Sequence, residues 1–417
     1  MSGLALVCRQ LGAEVSGSDR ADSTYMERLR RAGIEPRLGH DAAAVPDGAE
    51  VVVSTAVPED NPELARARER GQRVIHRGEL LAELCAERRL VAVAGTHGKT
   101  TTAGMLAHAM RAAGADPAFF LGGELPGAGP SGEAANAGWG DGEWVVAEAD
   151  ESDASFLHLR PEVAVITNVE LDHHSQWASR AELFAAFARF GEPARGLAAL
   201  AEPDLDPLVE GRKAVRFDAS GPGPALELGV PGRHNELNAR AALAALELTG
   251  FDLDAAARSL ETFPGIVRRL ELKGARDGAR IYDDYAHHPT EVRAALSALR
   301  ELGPRRLIAV FQPHLYSRTK VLAREFGAAL AEHADEIGVL EVYPAREEPV
   351  GELARVSGLA VAEAAADRAG GRPVWWLVDR ERAARALAPR LSADDVLVTL
   401  GAGDIHELAE SLVTETD

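Results

Sequence analysis

Between Leu90 and Met110 the sequence reads LVAVAGTHGKTTTAGMLAHAM. The apolar run Leu90 to Ala94 predicts a buried strand, and Met105, Leu106, Ala109 and Met110 share one face of a following helix. Between them stand Gly95, Thr96, His97, Gly98, Lys99, Thr100 and Thr101. A glycine turn between strand and helix aims free backbone N–H groups at one point, and the helix dipole favours an anion there. Lys99 adds a point charge, and Thr100 offers a hydroxyl to a magnesium ion. The longer phosphate-loop spacing needs a glycine at position 93, where Val93 stands, so the local pattern is G-x-x-G-K-T. A plain strand-turn-helix accounts for the glycines but not for Lys-Thr at the helix start. The stretch predicts a site for a nucleoside triphosphate.

Five other clusters carry titratable or amide groups. VVAEADESD runs an apolar strand into Glu148, Asp150, Glu151 and Asp153. Such a run is often a solvated loop, but carboxylates at a strand end beside a triphosphate suit magnesium, which takes oxygen ligands. VITNVELDHHSQW repeats the pattern with Asn168, Glu170, Asp172, His173 and His174. Paired histidines are as readily surface residues as ligands. In VPGRHNELNARAALAA, Asn235 and Asn238 lie around a helix start; a cap and an adenine contact are both open readings. IYDDYAHHPTEV places Asp283, Asp284, Tyr285, His287 and His288 before Pro289, a residue suited to a first helical turn. FQPHLYSRT brings His314, Tyr316, Ser317 and Arg318 to the next strand end. A guanidinium there can grip a carboxylate with two parallel hydrogen bonds.

The elements that must position these groups alternate along the chain. Helical patterns at LALVCRQLGA, STYMERLRRAG and NPELARARERG alternate with short strands at EVSGSD and AEVVVSTAV. Ser23 and Pro62 mark helix starts, Gly33 and Gly71 the ends. Later strands are predicted at WVVAEAD, VAVITNV, ARIYDDYA, RRLIAVFQPH, EIGVLEVYPA, RPVWWLVD and DVLVTLGAGDI. Alternation of this kind predicts parallel sheets covered by helices. The Gly- and Pro-rich DASGPGPALELGVPG reads as a loop of the middle unit. With 417 residues, 46% of them hydrophobic, the chain can bury several cores. A net charge of −20 argues against nucleic acid or anionic membrane as a partner. Two cysteines, without a C-x-x-C, fit a reducing compartment. No apolar run approaches membrane-span length, so a soluble cytoplasmic protein is expected.

Taken in order, SGSD, STAVPEDNPE, GTHGKTTT, EADESDASF, TNVELDH, GRHNELNA, DDYAHHPTE, FQPHLYSRT, YPAREE and GAGDI resemble the muramyl ligase family over nearly the whole chain. The pair DDYAHHPTE and FQPHLYSRT is most similar to the alanine-adding branch. The resemblance implies an α/β protein of three domains, each on a mostly parallel sheet. These are a Rossmann-like sugar-nucleotide domain (1–89), a central phosphate-loop ATPase-like domain (90–270) and a C-terminal dinucleotide-fold-like domain (271–417). It implies ATP and Mg2+ as cofactors, and UDP-N-acetylmuramate and L-alanine as the joined substrates, by way of an acyl phosphate.

By the same resemblance the loop from Gly95 through Thr101 holds the ATP phosphates, with Lys99 catalytic. Thr100 and Glu148 hold one metal, and His173 is a ligand of a second. Asn235 and Asn238 meet adenine, and His288 and Arg318 meet alanine and the transferring phosphate. Rival readings are a relative that adds a preformed peptide to the same sugar nucleotide, and a binding protein without catalysis. Three departures stand out. The region between AEPDLDPL and VPGRHN is shorter than the resemblance implies, which trims a small strand excursion of the central domain away from the chemistry. Leu315 occupies a position that is arginine in many relatives, which leaves Arg318 for the alanine carboxylate. Relatives also carry a strand and a G-x-G-G-x-G turn ahead of the position of Met1. The expectation is therefore a late start at an internal methionine, the full product being longer by that strand and loop; a truncated, catalytically weak product is the alternative.

Overall fold

The computed structural model describes residues 1–171, 176–221 and 223–414. The chain divides into two compact units, Met1–Glu227 with Leu237–Phe263, and Leu228–Glu236 with Pro264–Asp417.

In the first unit, β1 (Ser18–Asp19) pairs in parallel with β2 (Arg37–Leu38), and β3 (Val51–Val53) with β4 (Val74–His76). The two pairs are separate two-stranded sheets. The helices among them start as their caps dictate. The Ser23 side chain accepts from Met26 N–H to open Thr24–Arg31, and Asn61 accepts from Glu63 and Leu64 N–H to open Pro62–Glu69. Pro62 sits at the first position, where its missing N–H has no intrahelical role.

The main sheet holds β5 (Arg89–Ala94), β6 (Ala118–Leu125), β7 (Ala135–Gly138), β8 (Trp144–Glu148), β9 (Val163–Ile166), β10 (Gly196–Leu200) and β11 (Ala214–Phe217). Their order is β11-β10-β9-β5-β8-β6-β7, parallel throughout except for β6 with β7. Because parallel strands are covered on both faces, they read as unbroken apolar runs; Leu90 to Ala94, Val145 to Ala147 and Ala164 to Ile166 are all buried. Below them Phe156 stacks on Phe190 (centroids 5.3 Å apart) and meets Phe187 edge-on at 5.5 Å. The sequence pattern does not announce β6 and β7. Gly122 and Gly123 interrupt the apolar run of the first, and Ala-Asn-Ala-Gly has little strand propensity.

The second unit is a six-stranded sheet of β12 (Glu271–Arg276), β13 (Ala279–Asp284), β14 (Arg306–Phe311), β15 (Glu336–Leu340), β16 (Val374–Val378) and β17 (Asp395–Leu400). The order is β12-β13-β17-β14-β15-β16, with only the β12–β13 hairpin antiparallel. The segment expected to be a loop of the middle unit has no helix or strand among its described residues, but from Leu228 onward it groups with this second unit. Among the described residues no helix is long and apolar enough to cross a membrane.

Asp395, fully buried at the start of β17, is gripped by Arg306 (Nε to Oδ1 3.1 Å, Nη2 to Oδ2 2.6 Å) and by Ser392 N–H at 3.0 Å. Burial alone would raise its pKa, but the Arg306 and Ser392 bonds outweigh burial and hold it below the usual carboxylate value. A depressed folded-state pKa contributes stability above the unfolded value near 4 that disappears as pH falls through the folded value. Asp395→Asn is therefore expected to cost about 1.5–3 kcal/mol at pH 7, the range for hydrogen bonds to a charged group, and much less near pH 2. Denaturant titrations of parent and variant at both pH values check this; a difference independent of pH contradicts it.

Candidate active site

The phosphate loop lies where the sequence places it, between β5 and the helix Lys99–Ala112. Gly95 has φ +137°, and a Cβ there would stand 2.0 Å from Thr167 Oγ1. Gly98, at φ +80°, caps the helix in the left-handed region, and a Cβ on it would meet Asn238 Oδ1 at 2.3 Å. Both positions need glycine, for conformation and for space. The loop is tied to the end of β9. His97 N–H donates to Asn168 Oδ1 (2.9 Å), Thr167 Oγ1 donates to the His97 carbonyl (2.6 Å), and Thr96 Oγ1 donates to the Glu170 carbonyl (2.8 Å).

Lys99 Nζ donates to the carbonyls of Gly95 (2.7 Å) and Thr96 (3.2 Å), and to Glu151 Oε2 (2.9 Å). Burial pulls its pKa down, but Glu151, Asp150 and Glu148 more than compensate and hold the ammonium charged. The strand register explains this gathering of carboxylates. Val93 is the partner of Glu148 and Ala94 of Ile166, so three strands release their polar ends on one edge. Glu148 Oε2 accepts the Gly122 N–H at 2.6 Å, and among the described residues Oε1 accepts no hydrogen bond. Asp150 receives Ser152, and Asp153 receives Arg77 at 2.9 Å. The Trp177 indole N–H donates to the Glu151 carbonyl at 3.1 Å, which fixes the turn that carries the carboxylate.

Both asparagines lie on the helix Arg233–Thr249. Asn235 is not its cap: it is the third residue, and its Nδ2 donates to the Pro231 carbonyl at 2.7 Å. Asn238 is buried against the phosphate loop, where Oδ1 accepts from Thr102 Oγ1 at 3.3 Å. His173 lies outside the described residues.

In the second unit, polar groups gather at the carboxyl ends of β13 and β14. Arg268 donates from Nε to Asp283 (2.8 Å) and from its two terminal nitrogens to the carbonyls of Gly403 (3.0 Å) and Gly401 (2.7 Å). Asp284 accepts the N–H groups of Leu270 and Ala286, each at 2.7 Å, and burial lifts its pKa to about 6. His288 is the N-cap of the helix Pro289–Glu301, its Nδ1 accepting from Thr290 N–H while Glu291 reaches back to the N–H groups of His287 and His288. His287 accordingly has a different setting. Its ring centroid is 6.2 Å from that of His314, which lies parallel to Tyr343 at 5.7 Å. Burial drives both histidines down to about 4, and the positive charge of the nearby Arg318 pushes the same way, so both rings are neutral at pH 7. Leu315, ahead of Arg318, has φ +70°, a strained value for a branched side chain.

Of the expected residues, the structure brings Gly95, Thr96, His97, Gly98, Lys99, Thr100, Thr101, Glu148 and Asn238 to one sheet edge of the first unit. Asn235, His288 and Arg318 belong to the second unit. The sequence reading gave no individual role to Glu151, Thr167 or Asn168. Their signal was position at a strand end, shared with several neighbours of the same type.

A buried lysine at the head of a helix, above a glycine turn and beside strand-end carboxylates, is the form of a nucleotide-phosphate site in the phosphate-loop class. The comparisons agree. Family models match residues 1–89 (Mur ligase family, catalytic domain), 93–201 (Mur ligase middle domain) and 268–403 (Mur ligase, glutamate ligase domain). A UDP-N-acetylmuramate–L-alanine ligase from Kineococcus radiotolerans is 47% identical, over 97% of this chain and 91% of its own. Another of that name from Rubrobacter xylanophilus is 44% identical, over 99% and 97%. The crystal structure of UDP-N-acetylmuramate–alanine ligase from Thermotoga maritima superposes with a TM-score of 0.84 at 28% identity, covering 99% of this chain and 95% of that one. A murein peptide ligase from Psychrobacter arcticus gives 0.71 at 25% identity, covering 100% and 97%. The chain belongs to the Mur ligase family.

Gly98→Ala tests the loop. The Cβ meets Asn238 in a left-handed turn, so nucleotide affinity should fall at least tenfold by calorimetry while the far-ultraviolet circular dichroism is kept. Unchanged affinity would show that the turn does not face the nucleotide.

Proposed function

We propose that this protein joins L-alanine to the lactyl carboxylate of UDP-N-acetylmuramate at the expense of ATP. The observation that carries the reading is the Lys99 ammonium, kept charged at the head of a helix by the Gly95 and Thr96 carbonyls and by Glu151. Full-length similarity to ligases of that name supplies the substrates.

A carboxylate is a poor electrophile, because its leaving group would be oxide. Transfer of the γ-phosphoryl group breaks the bond to ADP and forms one to the lactyl oxygen, which makes phosphate the leaving group. The alanine amine then forms the C–N bond, phosphate departs and a proton is released. The first step brings two anions together, so positive charge must be waiting. Lys99 and the N–H groups of the helix start, Gly98 to Thr101, provide it from the protein. Thr100 and Glu148 fit Mg2+: both are hard oxygen donors, and Gly122 engages only Oε2 of the carboxylate. Bound there, Mg2+ would screen the phosphate charges. His173 is proposed as a further metal ligand, and Asn235 and Asn238 as the adenine contacts.

For the acceptor we assign Arg318 to the alanine carboxylate, whose shape its planar fork matches. His288, expected at the substrate, has its Nδ1 engaged as a helix cap, and His287 is the ring in the field of Arg318. His287 is therefore proposed at the acceptor beside His288, whose Nδ1 also holds the turn. The division into sugar-nucleotide (1–89), ATP (90–270) and amino-acid (271–417) segments, and a cytoplasmic location where both nucleotides are made, belong to the same proposal.

Lys99→Ala should reduce sugar- and alanine-dependent phosphate release by roughly 10²–10³, the usual loss when one preorganised charge stabiliser is removed. Activity within about twofold of the parent contradicts the assignment. With a tripeptide acceptor in place of alanine, turnover should be far lower; the reverse preference would favour the peptide-adding relatives. Arg318→Lys and His287→Ala should each raise the KM for alanine more than that for ATP, and His288→Ala should do so while also lowering thermal stability. Equal alanine KM values in all three variants would remove the acceptor site from this turn.

A further inference from the structure

Strand β6 is held in an unusual way near its end. Its pairing with β8 stops at Phe120 opposite Ala147, and its pairing with β7 skips from Phe120 to Leu125. Residues 121–124 therefore cross the edge of the nucleotide site without a ladder partner among the described residues. Two other contacts hold them. The Gly122 N–H donates to Glu148 Oε2 at 2.6 Å, and a Cβ on Gly122 would stand 2.7 Å from both carboxylate oxygens. Only glycine lets that carboxylate lie against the backbone. Two residues on, Glu124 is buried and receives both arms of the Arg28 guanidinium, Nη2 to Oε2 at 2.7 Å and Nη1 to Oε1. Arg28 comes from the helix Thr24–Arg31, 96 residues away in sequence.

A two-pronged arginine–carboxylate contact fixes direction as well as distance, which a single bond does not. Here it clamps the one stretch of β6 that lacks strand partners, and among the described residues that stretch supplies the only hydrogen bond to the Glu148 carboxylate. We propose that Arg28 is a positioning residue for Glu148, acting through Glu124 and the Gly122 N–H to aim the metal-holding carboxylate. The proposal rests on the reading of Glu148 as a metal ligand. It gives the amino-terminal segment a role in the phosphate chemistry: whatever orders the Arg28 helix also orders Glu148, and by linkage the converse holds.

The test is Mn2+ binding to the full-length protein with ADP, read from the free-ion electron paramagnetic resonance signal. Arg28→Ala and Glu124→Gln should each weaken Mn2+ at least fivefold, Arg28→Lys less, and the exchanged pair Arg28→Glu with Glu124→Arg should recover most of the loss. Thermal unfolding of each variant separates a misfolded chain from a misaimed carboxylate, and the exchanged pair keeps the test open where a single variant fails to fold. If Arg28→Ala binds Mn2+ like the parent while Glu148→Gln loses it, the positioning role is overturned. If the folded exchanged pair stays as weak as the single variants, it is overturned too. If Glu148→Gln binds like the parent, the metal reading of Glu148 falls, and the proposal with it.

Discussion

One buried charge organises the first unit. The Lys99 side chain is 11% exposed and its partner Glu151 1%, so neither can rely on water. An ammonium so placed needs oxygen atoms from several directions, and it finds them in two loop carbonyls and a carboxylate from the next strand end. Those oxygens converge only if β5 and β8 run parallel in the observed register. Parallel strands in turn require crossover helices on both faces, and these leave the strand interiors apolar. The polar residues are thereby confined to the strand ends. The requirement to satisfy one lysine and the layered architecture are thus two descriptions of the same arrangement.

This logic also decides what could be read in the sequence. Local signals were legible. The apolar run, glycines and Lys-Thr of the phosphate loop lie within a dozen residues, and the helix starts at Ser23 and Pro62 depend on neighbours two or three positions away. Contacts between distant segments were not. Nothing near Arg28 marks Glu124 as its partner, and the strand carrying Glu124 is itself disguised by two glycines. The reason for the first of them lies in space: Gly122 makes room for Glu148. The separate settings of His287 and His288 were hidden for a different cause. Adjacent identical residues have the same sequence signal, and only the capping geometry separates the ring that holds the helix from the ring beside His314 and Arg318.

In the second unit neutral rings and stored strain stand near Arg318. His287 and His314 are uncharged at pH 7, so neither ring adds an imidazolium charge to that of Arg318. Leu315 holds a positive φ just before the helix Tyr316–His333, the kind of conformation that persists only where surrounding bonds enforce it. Its N–H donates to the Tyr343 carbonyl at 2.9 Å, and Thr319 closes the first turn onto its own carbonyl. The strain sets the angle at which the helix, and Arg318 on its first turn, leaves the sheet.

Charged residues occupy both ends of the two main sheets, and the two ends use them differently. At the amino ends, Arg89 grips Glu162 at the start of β5, and Arg306 grips Asp395 where β14 and β17 begin. These pairs are closed: each carboxylate is met two-pronged by its arginine, which leaves little for a ligand. At the carboxyl edge around the phosphate loop the ties are looser. Among the described residues Glu148 is bonded through Oε2 alone, and two of the three groups that hold Lys99 are neutral carbonyls. A parallel sheet makes this division available because its helix N-termini, with their free N–H groups and positive dipole ends, all lie at the carboxyl edge. Anions are stabilised there by the backbone itself. Side chains at that edge can therefore remain partly unsatisfied without unfolding the chain, whereas those at the other edge must pair among themselves. The net charge of −20 is compatible with polyanionic substrates for the same reason, since the attraction is local to one edge and is supplied as much by backbone N–H groups as by lysine and arginine.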